Sequence, residues 1–199
     1  MVDLFNYTRR ESSVTHVGAL DLGGDNPIRI QSMTTTNTND TEACVKQAEE
    51  IIKAGGELVR FTTQGSREAE NMKNINAGIR ADGYDTPLVA DVHFNPNVAD
   101  VAALYCEKVR INPGNYVDPA RKFIKQEYTD EEYAHELQKI EDRFVPFLNI
   151  CKENHTAIRI GVNHGSLSDR IRNRYGDTPE GIVESCMEFL RICKKENFH

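Results

Sequence analysis

The sequence predicts an α/β protein in which parallel strands alternate with helices. Three observations support this class. Five short apolar segments alternate with helical patterns, no hairpin signal separates those segments, and each segment ends on polar or turn residues. Such an alternation is typical of parallel strands joined by right-handed crossovers.

The predicted strands are short apolar segments, each followed by a turn or a polar residue. They cover residues 28–33, 57–62, 88–93, 108–112 and 157–163. Before the first of them, apolar and polar residues alternate around Gly23-Gly24, which predicts a small N-terminal β-hairpin. We expect this hairpin to plug the floor of a barrel.

Each strand is followed by helical spacing that carries its own start or stop signals. The first helix is predicted over 40–54, with Asn39 and Glu42 spaced as a capping pair. The other helices are predicted over 66–82, over 96–106 from Asn95-Pro96, from Thr129 with a kink at Pro146, and from Thr178-Pro179 onward.

Two architectures accommodate five strand–helix units: a complete open sheet of the flavodoxin type, or part of an eight-unit barrel of roughly 250 residues. An open sheet binds its ligand at one switch point, whereas here nearly every strand ends on polar residues. We therefore predict a (β/α)8 TIM-barrel type with about five βα units present. The predicted division is an N-terminal hairpin segment over 1–27 and a partial barrel over 28–199, with an extended connection at 116–156.

Composition and charge exclude several classes of function. With a net charge of −7, the protein lacks the massed basic residues of a general nucleic-acid surface, so a cationic site must be local. No apolar run approaches the roughly 20 residues that span a bilayer, and the first residues lack a signal-peptide core, so we expect a cytoplasmic protein. The five cysteines show no C-x-x-C pair and no zinc-type spacing, so no metal site is predicted.

One face of the predicted sheet is unusually polar. Side chains two residues apart share a face of a strand. That rule places the following side chains together: Arg29, Gln31, Met33, Arg60, Thr62, Asp91, His93, Arg110, Asn112, Arg159, Gly161 and Asn163. Strands of a parallel barrel are normally apolar on both faces, so this face requires an explanation.

The arginines of the polar face predict an anionic ligand. One carboxylate, Asp91, cannot neutralise three guanidiniums, and an unpaired buried charge is costly. Guanidinium groups that converge at a barrel mouth suit a phosphate ester or diphosphate, because arginine presents a bidentate fork to phosphate oxygens. Asn112 and Asn163 would add neutral donors, and Asp91 with His93 would orient a hydroxyl or move a proton. The alternatives are an internal ion-pair network on Asp91, or arginines that reach solvent.

Two further features follow the fifth predicted strand. The backbone amides of Gly165-Ser166, next to a short helix capped by Ser168, offer a second anion site. The basic cluster of Arg170, Arg172 and Arg174 is expected to form a solvated face.

Five motifs, taken in order, closely resemble the N-terminal part of the 4-hydroxy-3-methylbut-2-enyl diphosphate synthase family. They are "PIRIQSMTTTNTNDTEA", "ELVRFTTQ", "PLVADVHFNPNVA", "KVRINPGN" and "IRIGVNHGSLSDRI...YGDTPEGIVESC", and the resemblance begins at about Thr15. It implies a (β/α)8 barrel whose mouth binds 2-C-methyl-D-erythritol 2,4-cyclodiphosphate. The positions that match the family's substrate surroundings are Arg60, His93, Arg110, Arg159 and Asn163, with Asp91 and Asn112 beside them in the same motifs.

The resemblance also implies a cofactor and partners that lie outside this chain. In the family a separate C-terminal domain holds a four-iron four-sulfur (4Fe-4S) cluster through three cysteines and a glutamate. The family's reaction is a reductive opening of the substrate ring with loss of water, and it uses two electrons from ferredoxin or flavodoxin. The full-length enzyme is expected to be a homodimer. No cofactor is expected in this chain, and no nucleic-acid or membrane partner.

The sequence departs from the simple bacterial pattern at two places. Segment 116–156 is longer and resembles the larger, insert-containing type of some bacteria and of plant plastids; the absence of a transit-peptide-like start favours the bacterial type. The sequence also ends at "KKENFH", where a sixth strand with a phosphate-binding lysine is expected. We therefore expect a barrel fragment that is inactive alone. The rival interpretations are a dihydropteroate-synthase-like transferase and a non-catalytic phosphometabolite-binding module whose open sheet edges a partner covers.

Overall fold

The computed structural model describes residue 6 and residues 10–118 and 127–199. Two sheets are present in this part of the chain. An antiparallel hairpin consists of β1 (Thr15–Val17) and β2 (Leu20–Leu22). The second sheet is parallel and consists of β3 (Gln31–Met33), β4 (Leu58–Thr62), β5 (Leu88–Asp91), β6 (Lys108–Ile111) and β7 (Ala157–Ile160).

The strands of the parallel sheet lie side by side in chain order, from β3 to β7. A doubly wound open sheet would contain a point at which the strand order reverses. The described sheet has no such reversal, so its order is that of consecutive barrel units. This agrees with the predicted barrel type.

Strand β3 is shorter and more exposed than the sequence predicts. The strand was expected over 28–33, yet only Gln31–Met33 pair with β4, and Ile28 and Ile30 are 79% and 60% exposed. The reason is position: within the described residues β3 has one neighbouring strand, so its apolar side chains are not enclosed on both sides. Apolar composition alone does not distinguish such an edge from a central strand.

Six α-helices accompany the strands in the described residues. They are α1 (Thr41–Lys53), α2 (Ser66–Ala81), α3 (Pro96–Ala102), α4 (Asp130–Asn154), α5 (Asp169–Tyr175) and α6 (Pro179–Lys195). Three predicted N-caps are confirmed, because each side chain accepts a hydrogen bond from the first turn: Asn95, Thr129 and Ser168. Thr178, where the last helix was predicted to begin, caps α6 in the same way. Helix α4 continues across Pro146. None of the described helices combines the length and the apolar character that crossing a bilayer requires.

The predicted capping pair of α1 is wrong by one residue. Asp40, not Asn39, caps the helix, since its carboxylate accepts a hydrogen bond of 3.1 Å from the amide of Ala43. The amide of Asn39 is instead held by the side-chain oxygen of Asn37 at 3.0 Å. This local turn brings the chain into the helix one residue later than predicted.

The two faces of the parallel sheet have different partners. The outer face packs against the helices and contributes Val59, Phe61, Val109 and Ile111 to the main core. The aromatic rings of Phe144 (α4) and Phe189 (α6) meet edge to face there, with centroids 5.0 Å apart. The opposite face carries the polar side chains and is the inner face of the barrel wall.

The N-terminal hairpin covers the lower end of this inner face, as predicted. Val17 of the hairpin is fully buried against Leu58, Val89 and Ala157, which come from three different strands. The hairpin turn, however, lies at Gly18-Ala19 and not at Gly23-Gly24. Gly18 has a φ of +56°, in the left-handed region that favours glycine. Segment 116–156 contains residues 119–126, which lie outside the described part of the chain.

Candidate functional site

Strand register places the charged residues of the inner face in two rows. In the upper row, toward the carboxyl ends of the strands, Asp91 is level with Arg110, and Arg110 is level with Arg159. In the row below, Arg60 and Lys108 lie on either side of Val89. The predicted convergence of arginines on one face is therefore present in the structure.

Asp91 is the centre of the site. Its side chain is buried, with the residue 1% exposed, and its carboxylate forms an ion pair with Arg60. It also accepts a hydrogen bond of 3.3 Å from Nη1 of Arg110 and lies 3.0 Å from Nε2 of His93. Burial acts to raise the pKa of this carboxyl, but the hydrogen bond to His93 and the charge of Arg60 outweigh it, so the pKa of Asp91 is lowered.

Arg110 is held rigidly by groups on two neighbouring strands. Its Nη2 donates a 2.7 Å hydrogen bond to the carbonyl oxygen of Gly161, and its Nη1 lies 3.1 Å from each ring nitrogen of His93. An imidazole protonated on Nε2 would donate to Asp91 and accept from Arg110, which satisfies both contacts. The guanidinium approaches Gly161 so closely that a Cβ there would lie 2.1 Å from Nε. Burial lowers the pKa of Arg110, and Asp91 opposes this change.

The site keeps an excess of positive charge. Asp91 pairs with Arg60 and Arg110, so the alternative of an internal ion-pair network is partly correct. Arg159 is exposed and forms no hydrogen bond or ion pair with any residue that the structure describes. The buried Nε atoms of Arg60 and Arg110 also lack acceptors within the described ranges. One carboxylate therefore faces three guanidiniums, and the remainder is available to an anion.

The two predicted asparagines shape the loop after β7. Asn112 is buried, and its side-chain amide donates a 2.9 Å hydrogen bond to the hydroxyl of Ser166. Asn163 is exposed at the mouth, and its Oδ1 accepts a 2.9 Å hydrogen bond from the amide of Gly165. The amide of Ser166 donates to the carbonyl oxygen of Asn163 at 3.0 Å. The prediction of an anion site on the Gly165-Ser166 amides is therefore wrong, because both amides already have acceptors within the turn.

Lys108 belongs to the same inner face and was not among the predicted site residues. It is 8% exposed and comes two residues before Arg110, so both side chains point to the same face. Burial, together with the nearby charges of Arg159 and Arg60, lowers the pKa of its amine to about 8. The alternation that identified Arg110 would also have identified Lys108.

The expectation that Arg170, Arg172 and Arg174 form a solvated face is wrong for Arg170. This residue is 2% exposed, and its guanidinium lies 2.7 and 2.8 Å from the two carboxylate oxygens of Glu188. Asp118 accepts two further hydrogen bonds from it. Burial alone would lower the pKa of Arg170, but these carboxylates raise it. The hydroxyl of Tyr133 also donates to Glu188, at 2.6 Å, so the cluster joins α4, α5 and α6.

The described residues do not suit an iron-sulfur cluster. They contain no group of three or more histidine, cysteine, aspartate or glutamate side chains placed to hold a metal ion. All five cysteines are unpaired, and four of them are buried. Burial raises the pKa of the Cys106 and Cys151 thiols, which disfavours the thiolate that a metal requires.

Comparison with known proteins gives one family. The relatives described here all bear the name 4-hydroxy-3-methylbut-2-en-1-yl diphosphate synthase (flavodoxin). The protein from Phocaeicola vulgatus is 77% identical over 198 residues and that from Bacteroides thetaiotaomicron 77% identical over 197, covering 100% and 99% of this chain and 32% of each relative. The protein from Akkermansia muciniphila is 52% identical over 195 residues, covering 98% of this chain and 33% of the relative. The chain thus spans about a third of the length of these curated relatives.

A solved structure and a family description complete the comparison. The crystal structure of Plasmodium falciparum HPPK-DHPS wild type with STZ-DHP has a TM-score of 0.39 and 10% identity, over 91% of this chain and 45% of that one, and nothing follows from a likeness so weak. The GcpE TIM-barrel domain family, by contrast, matches residues 12–199 of this chain. With the parallel strands in barrel order and the predicted motifs in place, the chain belongs to the GcpE TIM-barrel domain family.

Proposed function

We propose that this chain is the substrate-binding barrel portion of a 4-hydroxy-3-methylbut-2-enyl diphosphate synthase. The proposed substrate is 2-C-methyl-D-erythritol 2,4-cyclodiphosphate, a cyclic dianion. The observation that carries the proposal is the excess of guanidinium charge that β4, β6 and β7 place around the carboxylate of Asp91. A relative that matches the whole chain at 77% identity is named for a diphosphate product, which supports a diphosphate ligand.

Each arginine of the inner face has a distinct part in this proposal. Arg110 is fixed by Asp91 and by the Gly161 carbonyl, so it presents its guanidinium to a phosphate without losing further side-chain entropy. Arg159 is exposed and unpaired among the described residues, so it is free to turn toward the anion as it enters. Arg60 contributes charge from the row below, and Asn163 has a side-chain NH2 at the mouth for a further hydrogen bond.

His93 and Asp91 are the proposed acid–base pair. The imidazole is half-exposed beside Arg110, whereas the carboxylate behind it is buried. Asp91 thereby orients the ring and stabilises the positive charge that the ring would gain on taking a proton. We assign this pair to a hydroxyl or ring oxygen of the substrate. Asn112 is a positioning residue, since it holds Ser166 and with it the loop that carries Asn163.

Reduction of the substrate belongs to parts of the protein outside these residues. A 4Fe-4S cluster on a C-terminal domain is the proposed redox centre, and flavodoxin, which the relatives' name contains, is the proposed electron donor. We propose a homodimer for the full-length enzyme, no turnover by this chain alone, and a cytoplasmic location, which the five unpaired cysteines support.

Calorimetric titration of the chain with the cyclodiphosphate tests the proposal. Removing a charge that contacts phosphate costs about 2 kcal/mol, which corresponds to roughly a thirtyfold loss of affinity. We expect losses of this size for Arg110→Ala and Arg159→Ala, but none for Arg191→Ala, whose exposed side chain pairs with Glu184 on α6. Unchanged affinity in both site variants would refute their roles. Tighter binding of a pterin diphosphate would favour a dihydropteroate-synthase-like function instead.

A further inference from the structure

Lys108 lies beneath the upper row of the site and above the hairpin plug. Strand register puts it between Val89 of β5 and Ala157 of β7, both of which pack on Val17 of the hairpin. Arg60 lies in the same row on the other side of Val89. The lysine stem is therefore enclosed by apolar side chains, and the next polar layer above its amine is that of Asp91, Arg110 and Arg159.

No group in the described chain neutralises this lysine. The other two buried cations each have carboxylate partners, Asp91 for Arg110 and Glu188 with Asp118 for Arg170. Lys108 has no carboxylate oxygen within 4.0 Å and no side-chain hydrogen bond among the described residues. The adjacent carboxylate of Glu107 is occupied elsewhere, by the guanidinium of Arg80 and the amide of Leu88. Unlike Nε of Arg60 and Arg110, the amine nitrogen of Lys108 is not a fully buried atom, so it is accessible from the inner face, where an anion can pair with it.

The charged groups around Lys108 leave it in a positive field. The strands contribute Arg60 from β4, Asp91 and the following His93 from β5, Arg110 from β6 and Arg159 from β7. The hairpin contributes the apolar side chains of Val17, Leu20 and Leu22, while its titratable pair of His16 and Asp21 is exposed. The only carboxylate in this set is Asp91, which already binds Arg60, Arg110 and His93.

We propose that Lys108 is a fourth cationic ligand of the diphosphate, which approaches the bound anion from beneath the arginine row. This inference rests on the proposed function and extends it to a lysine, whose amine binds phosphate only when the amine is protonated. The arginines stay charged at any physiological pH, whereas this amine titrates, with a pKa of about 8. The affinity of the site for its anion is then set by the protonation of one residue.

The pH dependence of affinity follows with a definite sign. Without a bound anion, the Lys108 amine is protonated below its pKa of about 8. A bound phosphate raises that pKa, so binding above pH 8 is accompanied by proton uptake. We expect the dissociation constant for the cyclodiphosphate to be flat near pH 7 and to rise about tenfold per pH unit above 8. The ligand keeps a constant charge in this range, because each of its phosphates has a single, strongly acidic hydroxyl.

Two substitutions separate charge from packing. Lys108→Met keeps a linear apolar stem and removes the charge, so we expect at least a tenfold loss of affinity at pH 7 and a flat profile. Lys108→Arg keeps a charge that does not titrate, so we expect affinity near that of the wild type at pH 7 and a flat profile up to pH 9.5. Lys73→Met, on the exposed side of α2, is the matched control and should follow the wild type throughout.

The outcomes distinguish this inference from the proposed function. A wild-type pH profile in Lys108→Arg, or wild-type affinity in Lys108→Met, would overturn the inference, and the arginine variant decides the matter if the methionine variant fails to fold. Binding of inorganic pyrophosphate at pH 7 that depends on Lys108, without binding of the cyclodiphosphate, would support the cation site and refute the proposed substrate. Failure of the wild-type chain to bind either anion would refute both.

Discussion

Substituting Gly161 by alanine should displace Arg110 without altering any charge. Gly161 does not have a positive φ, so alanine causes no backbone strain, and the whole effect comes from the side chain. Its Cβ would lie 2.1 Å from Nε and 2.9 Å from Cζ of Arg110, whereas ordinary contact begins at 3.4 Å. The guanidinium must therefore move by about 1 Å or more.

The cost follows from the contacts that this movement breaks. Arg110 donates at 2.7 Å to the Gly161 carbonyl and at 3.3 Å to Asp91, and a hydrogen bond that involves a charged group contributes about 1.5–3 kcal/mol. We expect Gly161→Ala to lower the free energy of unfolding by about 2–4 kcal/mol, given that Arg60 and His93 still hold Asp91. Affinity for the cyclodiphosphate should fall at least tenfold, because the displaced guanidinium no longer lies where it would contact the phosphate.

Urea denaturation followed by circular dichroism measures the first effect, and calorimetry measures the second. Gly165→Ala is the matched control, because its added Cβ would meet Asn163 at 3.5 Å, an ordinary contact, and should cost less than about 0.5 kcal/mol. If the two alanine variants unfolded at the same urea concentration and bound equally well, the close packing of Arg110 on Gly161 would not be what fixes that guanidinium.

Two further predictions concern buried charges. Glu188→Gln should destabilise the fold by about 3 kcal/mol in urea denaturation, since it leaves Arg170 buried with Asp118 as its remaining carboxylate. The control, Glu184→Gln on the same helix, should cost under about 1 kcal/mol. Equal effects of the two substitutions would refute the importance of burial. The lowered pKa of Asp91 means that its ionised form contributes stability above pH 4 that is lost as the pH falls through its folded-state pKa. The difference in unfolding free energy between the wild type and Asp91→Asn should therefore shrink below pH 4, and a constant difference would contradict the pairing.

The order of the elements was predictable because it depends on the spacing of apolar residues within each short segment. A period of two residues identifies both the central strands and the face on which their charges lie, and cap residues such as Asn95 and Thr129 identify where helices begin. The convergence of Arg60, Asp91 and Arg110 followed from the same alternation, combined with the parallel arrangement of the strands.

Two of the errors have a common physical cause, which is dependence on distant residues. The exposure of Ile28 and Ile30 depends on whether a second strand lies beside β3. The burial of Arg170 depends on Glu188 and Asp118, which are 18 and 52 residues away in the chain. Spacing within α5 gives no sign of either carboxylate.

The role of the Gly165-Ser166 amides was misjudged for a different reason. Backbone amides at a turn look available in the sequence, but the side chain and carbonyl of Asn163 accept from both. Asparagine commonly bonds to the backbone two residues onward, so this outcome is the usual one for such a residue at a strand end.

The central claim is that the cations of the inner face bind the cyclodiphosphate. A crystal structure of the chain soaked with that compound tests this claim most directly. We predict phosphate oxygens within about 3.2 Å of the guanidinium nitrogens of Arg110 and Arg159 at the mouth of the barrel, with the Lys108 amine directed toward the same anion. A fully occupied ligand bound elsewhere on the molecule, with Arg159 still turned to solvent, would contradict the claim.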